Sequence, residues 1–297
     1  MFSLLRWLTI ISVLLLGLLP GSSPRAEPQL TIAFIDVGQG DAILIRDGAG
    51  FDILIDGGRK SAGEDLIDYI LELGVDDLEI MLATHADADH IGGLVKILES
   101  DEIIIESIYF NGYPGDTLTW LDFEAAAVAD GLQLVPLQYP QTPTWGGFDV
   151  QVLNPPAGLV LPDQNDASIV LHLGYAQIDI LFTADIDASI EQLLPARTTS
   201  LQADILKVAH HGSKFSSSAV FLQAVQPGEA IISVGPNAYD HPAAETLLRI
   251  QDAGSNIWRT DLLGTINVLS DGYTYQMLPR ITLLPLILQL HTIPFDP

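Results

Sequence analysis

The chain contains the segment His85-Ala86-Asp87-Ala88-Asp89-His90-Ile91-Gly92-Gly93. Four of its first six residues are imidazoles or carboxylates, the side chains that bind divalent metal ions. An apolar run precedes the segment and an apolar helical pattern follows it. We therefore predict that a strand delivers these side chains onto a tight loop, behind which a helix begins. Four such side chains cannot all reach one small ion with good geometry, so the segment predicts two adjacent ions, an arrangement typical of hydrolytic sites.

Polar residues also end other apolar runs of the chain. One predicted strand leads to Asp185, another leads to His210 and His211, and the first predicted strand ends at Asp36. An aspartate that closes an apolar strand is poorly solvated and needs a partner, which a pair of metal ions supplies. Asp185 or Asp187 could alternatively cap the helix that follows. Because the ends of successive strands converge at one edge of an αβ sandwich, we expect these side chains to meet. The spacing does not decide between His210 and His211.

Strands and helices alternate along the chain, and hairpins are mixed among them. The pattern predicts a hairpin of strands over 42–46 and 51–56 and a helix over 118–129. Ser61 and Glu64 have the spacing of a capping box and predict the start of another helix. This mixture predicts an α/β fold, a four-layer αββα sandwich of two mixed β-sheets with helices on the outside.

The ends of the chain differ from its middle. In residues 1–26, Arg6 precedes an apolar run over 7–19, and small residues follow. This pattern predicts a signal peptide or an N-terminal anchor that tethers the protein to a membrane, and therefore an exported, periplasmic, extracellular or outward-facing protein. Residues 27–277 are predicted to form one domain, because no linker or repeat divides them. Residues 278–297 are interpreted as an apolar C-terminal tail.

The composition limits the partners and the metal ligands. The 297 residues include 12 Lys and Arg against 38 Asp and Glu, for a net charge of −26. Such a charge repels polyanions at long range, so tight non-specific binding to DNA is not expected. The chain has no Cys. A metal site must therefore use His, Asp, Glu or Asn, and no disulfide forms.

The order of the motifs resembles the metallo-β-lactamase superfamily. It is most similar to the hydrolase domain at the C-terminal end of the DNA-uptake channel protein ComEC and to stand-alone relatives of that domain. The resemblance covers residues 31 to about 270. The matching segments are 34–41, 54–58, 85–93, 165–168, 182–185, 210–214, 233–235 and 241–242.

The resemblance implies that His85 and Asp87 hold a first metal ion with Asn165 nearby, and that Asp36 orients a ligand from outside the site. Asp87 stands where the superfamily usually has a second His, and Asn165 stands near the usual position of a third. Ala184 replaces the Gly that, in the superfamily, commonly precedes the metal-bridging Asp at the position of Asp185. Because the additional oxygen donors let harder ions compete, we expect two divalent ions, either Zn²⁺ or Mn²⁺.

The resemblance also implies that Asp89, His90 and either His210 or His211 hold the second ion, while Asp185 bridges the two. A water molecule bound to the ions would lose its proton near neutral pH and act as the nucleophile. Asp89 or Asp185 would be the catalytic group that orients this water or accepts its proton. No Ser or Cys nucleophile is then needed.

Two further segments could contact the substrate. The turn that contains Gln39 and Asp41 could present backbone N–H groups to an anion, although it could equally be a simple turn. Ser213, Lys214 and His241 could bind a phosphate group or donate a proton to the leaving group. His241 precedes a proline and could equally be an ordinary loop residue.

The sequence as a whole predicts an exported metal-dependent hydrolase that acts on a phosphodiester. The resemblance favours DNA or nucleotides as the substrate, whereas the net charge favours a small phosphodiester over a long polyanion. Two alternatives remain open. One is hydrolysis of another ester or of a lactam, and the other is a non-catalytic, metal-binding accessory module for DNA uptake.

Overall fold

The computed structural model describes residues 30–159, 161 and 163–280. Its strands, in chain order, are β1 (Leu30–Phe34), β2 (Ile43–Asp47), β3 (Asp52–Ile55), β4 (Asp77–Leu78), β5 (Ile80–Ala83), β6 (Ile104–Ile105), β7 (Ile108–Phe110), β8 (Leu134–Pro136), β9 (Thr144–Trp145), β10 (Phe148–Asn154), β11 (Val170–Tyr175), β12 (Ile178–Phe182), β13 (Ile205–Lys207), β14 (Glu229–Ile232), β15 (Asn256–Arg259), β16 (Ile266–Ser270) and β17 (Tyr275–Pro279). Its α-helices are α1 (Gly63–Glu72), α2 (Ala88–Leu98), α3 (Leu118–Ala129), α4 (Ala188–Glu191), α5 (Ala219–Val225), α6 (Ala244–Asp252) and α7 (Thr260–Leu263).

The larger strands form two mixed sheets, as the sequence predicts. The first sheet has the order β17-β16-β1-β2-β3-β5-β7-β8, and the second has the order β15-β14-β13-β12-β11-β10-β9. In the first sheet the strands from β3 to β8 are parallel, and in the second the strands from β12 to β15 are parallel. The remaining neighbours in each sheet are antiparallel.

Alternating apolar residues give these sheets two buried faces. On β2, Ile45 lies in the core between the sheets, whereas Leu44 packs in the cluster that contains residues of α1, α2 and α3. On β12, Ile180 faces the same central core, whereas Leu181 packs with residues of α4, α5 and α6. Because side chains of a strand alternate between its faces, each sheet is covered on both sides. The predicted four-layer αββα sandwich is confirmed.

The structure confirms one predicted helix and corrects the predicted start of another. Helix α3 spans Leu118–Ala129, as predicted, and the Thr117 hydroxyl accepts a hydrogen bond from the backbone N–H of Trp120. The predicted capping box at Ser61 was wrong. Ser61 belongs to a short 3₁₀ turn, Lys60–Ala62, and α1 begins after Ala62 without a side-chain cap.

The described fold continues slightly past the predicted domain boundary. Strand β17 pairs antiparallel with β16, so the first sheet includes residues 278 and 279, which the sequence analysis had interpreted as tail. The predicted leader over 1–26 and the tail beyond residue 280 lie outside the described residues. Among the residues that are described, no helix is long and apolar enough to cross a membrane.

Helix α2 approaches the first sheet unusually closely, and this approach places His90. The backbone N–H of Gly57 donates to the carbonyl of His90 at 2.7 Å, and that of Gly93 donates to the carbonyl of Gly58 at 2.9 Å. A methyl group on Gly93 would overlap the carbonyl oxygen of Gly57, so only glycine permits this contact. The first turn of α2 therefore lies directly against the end of β3.

Candidate metal centre

Polar side chains follow the carboxyl ends of parallel strands in both sheets. His85 follows β5, whose neighbour β3 leads into Asp56. In the second sheet, Asp185 follows β12, and His211 follows the parallel strand β13. Asp89 and His90 come from the first turn of α2. The two sheets thus bring their polar ends together at one edge of the sandwich, as the sequence predicts.

The chain bends sharply at several of these strand ends. Asp56, Ala184, His210 and His211 all have positive φ angles, between 43° and 56°. Non-glycine residues in this left-handed region cost on the order of 1–3 kcal/mol each and cluster at functional sites. The positive φ angle at Ala184 favours glycine, which is the residue that the superfamily commonly has at this position.

Three imidazoles and one carboxylate form the centre of the cluster. The Nε2 atom of His90 lies 3.4 Å from Oδ1 of Asp185, and Nε2 of His211 lies 3.4 Å from the other oxygen, Oδ2. The rings of His85 and His90 are 4.1 Å apart between their centroids. Potential ligand atoms of His85, His90 and Asp185 all lie within 4.8 Å of one another, and so do those of Asp89, His90 and His211.

The inward-facing atoms of this cluster make no hydrogen bond to any residue that the structure describes. The Nε2 atoms of His85, His90 and His211 and the Oδ1 atom of Asp185 are buried and make no hydrogen bond. A buried polar group without a partner costs about 1–3 kcal/mol, so four in one place need an explanation. Nitrogen and oxygen donors in this mixture are the ligands of Zn²⁺ and Mn²⁺. The residues therefore fit a divalent metal ion.

Hydrogen bonds on the outer side of the rings fix the orientation of the imidazoles of His85 and His90. Nδ1 of His90 lies 2.7 Å from Oδ2 of Asp56. The same oxygen accepts a hydrogen bond from the Thr84 hydroxyl group at 2.7 Å, and the backbone N–H of Thr84 donates to Oδ1 of Asp56 at 2.8 Å. Because the Thr84 hydroxyl group uses its hydrogen to donate to Asp56, its oxygen must accept the hydrogen bond from Nδ1 of His85, 3.1 Å away. Both rings therefore carry hydrogen on Nδ1 and turn Nε2 towards the cluster.

The third ring is fixed in the same way from the second sheet. Nδ1 of His211 lies 2.9 Å from the carbonyl oxygen of Ser233, which can only accept a hydrogen bond. The Nε2 atom of His211 is therefore directed at the cluster as well. His210 is different, because its side chain is 29% exposed against 2% for His211 and its Nε2 lies 3.9 Å from Asp185. The structure thus favours His211 over His210 as the ligand.

The charges of the cluster are strongly coupled. Burial alone would raise the pKa of Asp185, but the charges of His211 and His90 outweigh burial and hold that pKa well below its usual range. Burial lowers the pKa of His211, but the carboxylates of Asp185 and Asp41 together outweigh this effect and raise it to about 10. A divalent cation would replace the protons on Nε2 as the partner of Asp185, so we expect metal binding to release protons.

A buried ion pair joins the two sheets beside the cluster. Nζ of Lys207, on β13, lies 2.6 Å from Oδ2 of Asp41, and Lys207 is completely buried. Burial raises the pKa of Asp41, but the charges of Lys207, His211 and His90 together outweigh it and hold this pKa below its usual range. Oδ1 of Asp41 lies 3.5 Å from Nδ1 of His211. The backbone N–H of Asp41 donates to the carbonyl of Asp89. Asp41 therefore links residues from both halves of the cluster.

Two predicted residues are not brought into the cluster. Asp36 is exposed, and its carboxylate accepts only the Gly38 N–H among the hydrogen bonds of the described residues. Its predicted role of orienting a ligand was wrong, because Asp56 makes that contact instead. The backbone of Asn165 donates to Asp163, and the residue of this segment that reaches Asp185 is Ser168, whose hydroxyl accepts the Asp185 N–H at 3.4 Å.

Other predicted residues occupy the margin of the cluster. Oδ2 of Asp87 lies 3.7 Å from Nε2 of His85, and Asp87 begins α2 without capping it, so its carboxylate is free to face His85. Gln39 is buried, and its side-chain oxygen accepts the backbone N–H of Gly235. Gln39 and Asp41 thus make internal contacts instead of forming an open anion-binding turn.

The cluster adjoins a cleft of about 710 Å³. Four predicted residues line it: His210, Ser213, Lys214 and His241. The Ser213 hydroxyl accepts the Phe215 N–H at 3.3 Å, and burial lowers the pKa of His241 to about 4. A His with this pKa is neutral near pH 7, which disfavours the predicted role of His241 as an acid.

Sequence reasoning missed Asp56, Thr84 and Lys207. Asp56 carries the same signal as Asp185, an aspartate at the end of an apolar strand, and the following Gly57-Gly58 marks the close approach of α2. Lys207 stands within an apolar strand, where a lysine must be paired. Thr84 carries no comparable signal, because threonine is common at strand ends.

Comparison with known proteins agrees with this fold and site. The family model described as "Metallo-beta-lactamase superfamily" matches residues 35–235. The chain therefore belongs to the metallo-β-lactamase superfamily and has the hydrolase fold of that superfamily. The crystal structure of the metallo-β-lactamase fold protein YhfI from Bacillus subtilis has a TM-score of 0.55 with 13% identity, covering 80% of this chain and 99% of YhfI.

Curated relatives are more similar in sequence. "ComE operon protein 3" of Bacillus subtilis is 31% identical over an alignment of 275 residues that covers 82% of this chain and 33% of that protein. "Competence protein ComA" of Neisseria gonorrhoeae is 31% identical over 260 residues, 86% of this chain and 35% of that protein. The chain thus spans about a third of the length of these relatives. The predicted resemblance to ComEC-type proteins is confirmed.

Replacing His211 with Ala should weaken metal binding far more than replacing His210 with Ala. His211→Ala removes a buried nitrogen donor, and loss of an outer partner alone typically costs 10–100-fold in affinity, so we expect at least about 100-fold. His210→Ala should cost only a few-fold, because His210 lies at the margin. Equilibrium dialysis of the metal-free protein against Zn²⁺ or Mn²⁺ measures both, and the opposite order would contradict the assignment.

Replacing Lys207 with Met should destabilise the protein by about 3–5 kcal/mol, because it leaves Asp41 charged and unpaired in the interior. Adding Asp41→Asn should recover much of this loss, since the second change removes the unpaired charge. Urea unfolding followed by circular dichroism measures the difference.

The matched control for this pair is Lys60→Met. Lys60 pairs with Asp122 at 3.1 Å on the surface, and an exposed pair contributes little to stability. Equal effects of Lys207→Met and Lys60→Met would show that the buried pair does not hold the sheets together.

Proposed function

We propose that this chain is a metal-dependent phosphodiesterase that works with two divalent ions, Zn²⁺ or Mn²⁺. The observation that carries the proposal is the set of buried, partnerless Nε2 and Oδ1 atoms of His85, His90, His211 and Asp185. They lie close together beside an open cleft that contains a cationic side chain, Lys214. A site of this kind binds anionic substrates better than neutral ones.

The proposed ligands divide into two groups. His85 and Asp87 hold the first ion, and Asp89, His90 and His211 hold the second. Asp185 would stand between them, because one of its oxygens lies within 4.8 Å of a ligand atom of His85, while Oδ2 lies 3.4 Å from Nε2 of His211. When bound, the ions supply an activated water molecule and positive charge to stabilise the developing charge on the phosphate.

The residues of the chain have separate tasks in this proposal. Asp56, Thr84 and Ser233 hold the imidazole rings in orientation. Asp89 is partly exposed, with Oδ2 3.9 Å from Nε2 of His211, and we assign it to orient a water molecule or accept its proton. Lys214 is exposed in the cleft and binds a non-bridging phosphate oxygen.

Several features support a phosphodiester over a lactam. An aspartate, Asp87, occupies a position where the superfamily usually has a histidine, and the additional oxygen donor suits the harder ions that often assist phosphoryl chemistry. One relative is named as a competence protein, which agrees with the DNA or nucleotide substrate that the resemblance favours. The net charge of −26 favours a small or single phosphodiester unit and opposes tight non-specific binding to long DNA.

We also propose that the protein is exported. The support is the apolar run over 7–19 with Arg6 before it, a pattern typical of a signal peptide or an N-terminal membrane tether.

Hydrolysis of bis(p-nitrophenyl) phosphate by the full chain tests the proposed activity. The metal-free protein should be inactive, and added Mn²⁺ or Zn²⁺ should restore activity. Asp185→Asn should lower kcat/KM by about 100-fold or more with metal present, because it removes the charge between the two ions.

The control is Asp68→Asn, which makes the same chemical change on the exposed surface of α1 and should retain the wild-type rate. A folded protein that binds metal but hydrolyses no phosphodiester with either ion would contradict the proposal. That result would favour the accessory metal-binding module.

A further inference from the structure

One wall of the cleft is a row of aromatic rings that the proposed chemistry does not use. The ring centroids of Tyr239 and His241 are 5.8 Å apart, and those of His241 and His210 are 5.4 Å apart. The row continues from His210 to His211, with 6.2 Å between centroids, and so ends at the metal ligands. The rings thus extend from the rim of the cleft to the reacting centre.

Two aromatic side chains in this cleft are largely exposed. Phe215 is 67% exposed and Tyr239 is 68% exposed, and both line the cleft. Exposed apolar side chains gathered in a concave site indicate ligand binding. Nζ of Lys214 lies 5.1 Å from the centre of the Phe215 ring, so a cation stands beside the apolar surface.

The size and charge of the cleft limit what it can accept. A volume of about 710 Å³ is in the range of sites for small organic ligands. Asp240 and Glu245 also line the cleft, and their carboxylates would repel additional phosphate groups. A ligand with one phosphodiester and one uncharged planar ring satisfies both limits. Planar rings stack on aromatic side chains independently of long-range charge.

We propose that this cleft is a stacking subsite for a planar base carried by the retained side of a phosphodiester, opposite the leaving group, and that its biological ligand is a nucleoside ester. Tyr239 and Phe215 contact the base, and Lys214 contacts the phosphate oxygen that faces away from the metal ions. This inference rests on the proposed phosphodiesterase activity and names its substrate class.

Two substrates with the same leaving group test the subsite. Thymidine 5′-(p-nitrophenyl phosphate) and methyl p-nitrophenyl phosphate both release p-nitrophenol, so their chemistry is matched and only the retained substituent differs. The wild-type enzyme should prefer the nucleoside ester by about tenfold or more in kcat/KM, because each stacked base is worth roughly that factor. Tyr239→Ala and Phe215→Ala should each reduce this preference severalfold, through KM more than kcat.

Two variants separate stacking from structural damage. Tyr239→Phe keeps the ring and should retain the preference. Tyr273→Ala removes an equally exposed aromatic ring, 67% exposed on the turn between β16 and β17, and should not change the preference. An unchanged preference in both Tyr239→Ala and Phe215→Ala, with the methyl ester still hydrolysed, would overturn the subsite while leaving the phosphodiesterase proposal intact.

Binding without turnover decides the inference independently. Titration calorimetry of the metal-loaded protein should give an affinity for thymidine 5′-monophosphate about tenfold higher than for methyl phosphate, and Tyr239→Ala should remove the difference. Were neither ester hydrolysed, the phosphodiesterase proposal would fail, yet this affinity ratio would still support or overturn the stacking subsite. Equal affinities for the two phosphates would overturn it.

Discussion

Hydrogen bonds to Nδ1 of the buried imidazoles are the constraint on which the metal centre depends. Asp56, Thr84 and Ser233 bond to the outer nitrogen of the rings, and the inner nitrogen makes no hydrogen bond within the described part of the chain. A ring free to rotate could turn either nitrogen inward and bond to a neighbour. The acceptors prevent this, and the unpaired Nε2 atoms are the consequence. A divalent cation bound among these atoms would satisfy them.

The same constraint explains why the two sheets must meet accurately. Asp56 and Thr84 belong to the first sheet, whereas Ser233 and His211 belong to the second. The buried pair of Lys207 and Asp41 spans this junction. Central apolar packing brings the sheets face to face, but it is not directional. Ion-pair and hydrogen-bond geometry is directional, so these contacts set the position of one sheet edge against the other.

The sequence predicted the parts of the site that depend on local pattern. The change from a strand to a helical period around His85 to Gly93 located β5, the loop and α2, because periodicity is a local property. The local pattern could not distinguish the roles of Asp36 and Asp56, since each follows the end of an apolar strand. Which acid is buried depends on where α2 packs, and that is decided by contacts between distant segments.

Two other differences have the same origin. Strand β17 contains a proline and apolar residues that resemble a loose arm, and only its pairing with β16 makes it a strand. Lys207 is tolerable in the interior only because Asp41, far earlier in the chain, reaches it. Pairings of this kind are created by the tertiary fold, so the local pattern around Tyr275–Pro279 or Lys207 does not contain them.

Anomalous X-ray scattering from crystals grown with Mn²⁺ or Zn²⁺ tests the central claim most directly. The account predicts two peaks at the absorption edge of the metal, about 3.5–4 Å apart, with Asp185 between them and Nε2 of His85, His90 and His211 facing them. Peaks confined to surface carboxylates, or ring nitrogens that remain without a metal at full loading, would contradict it.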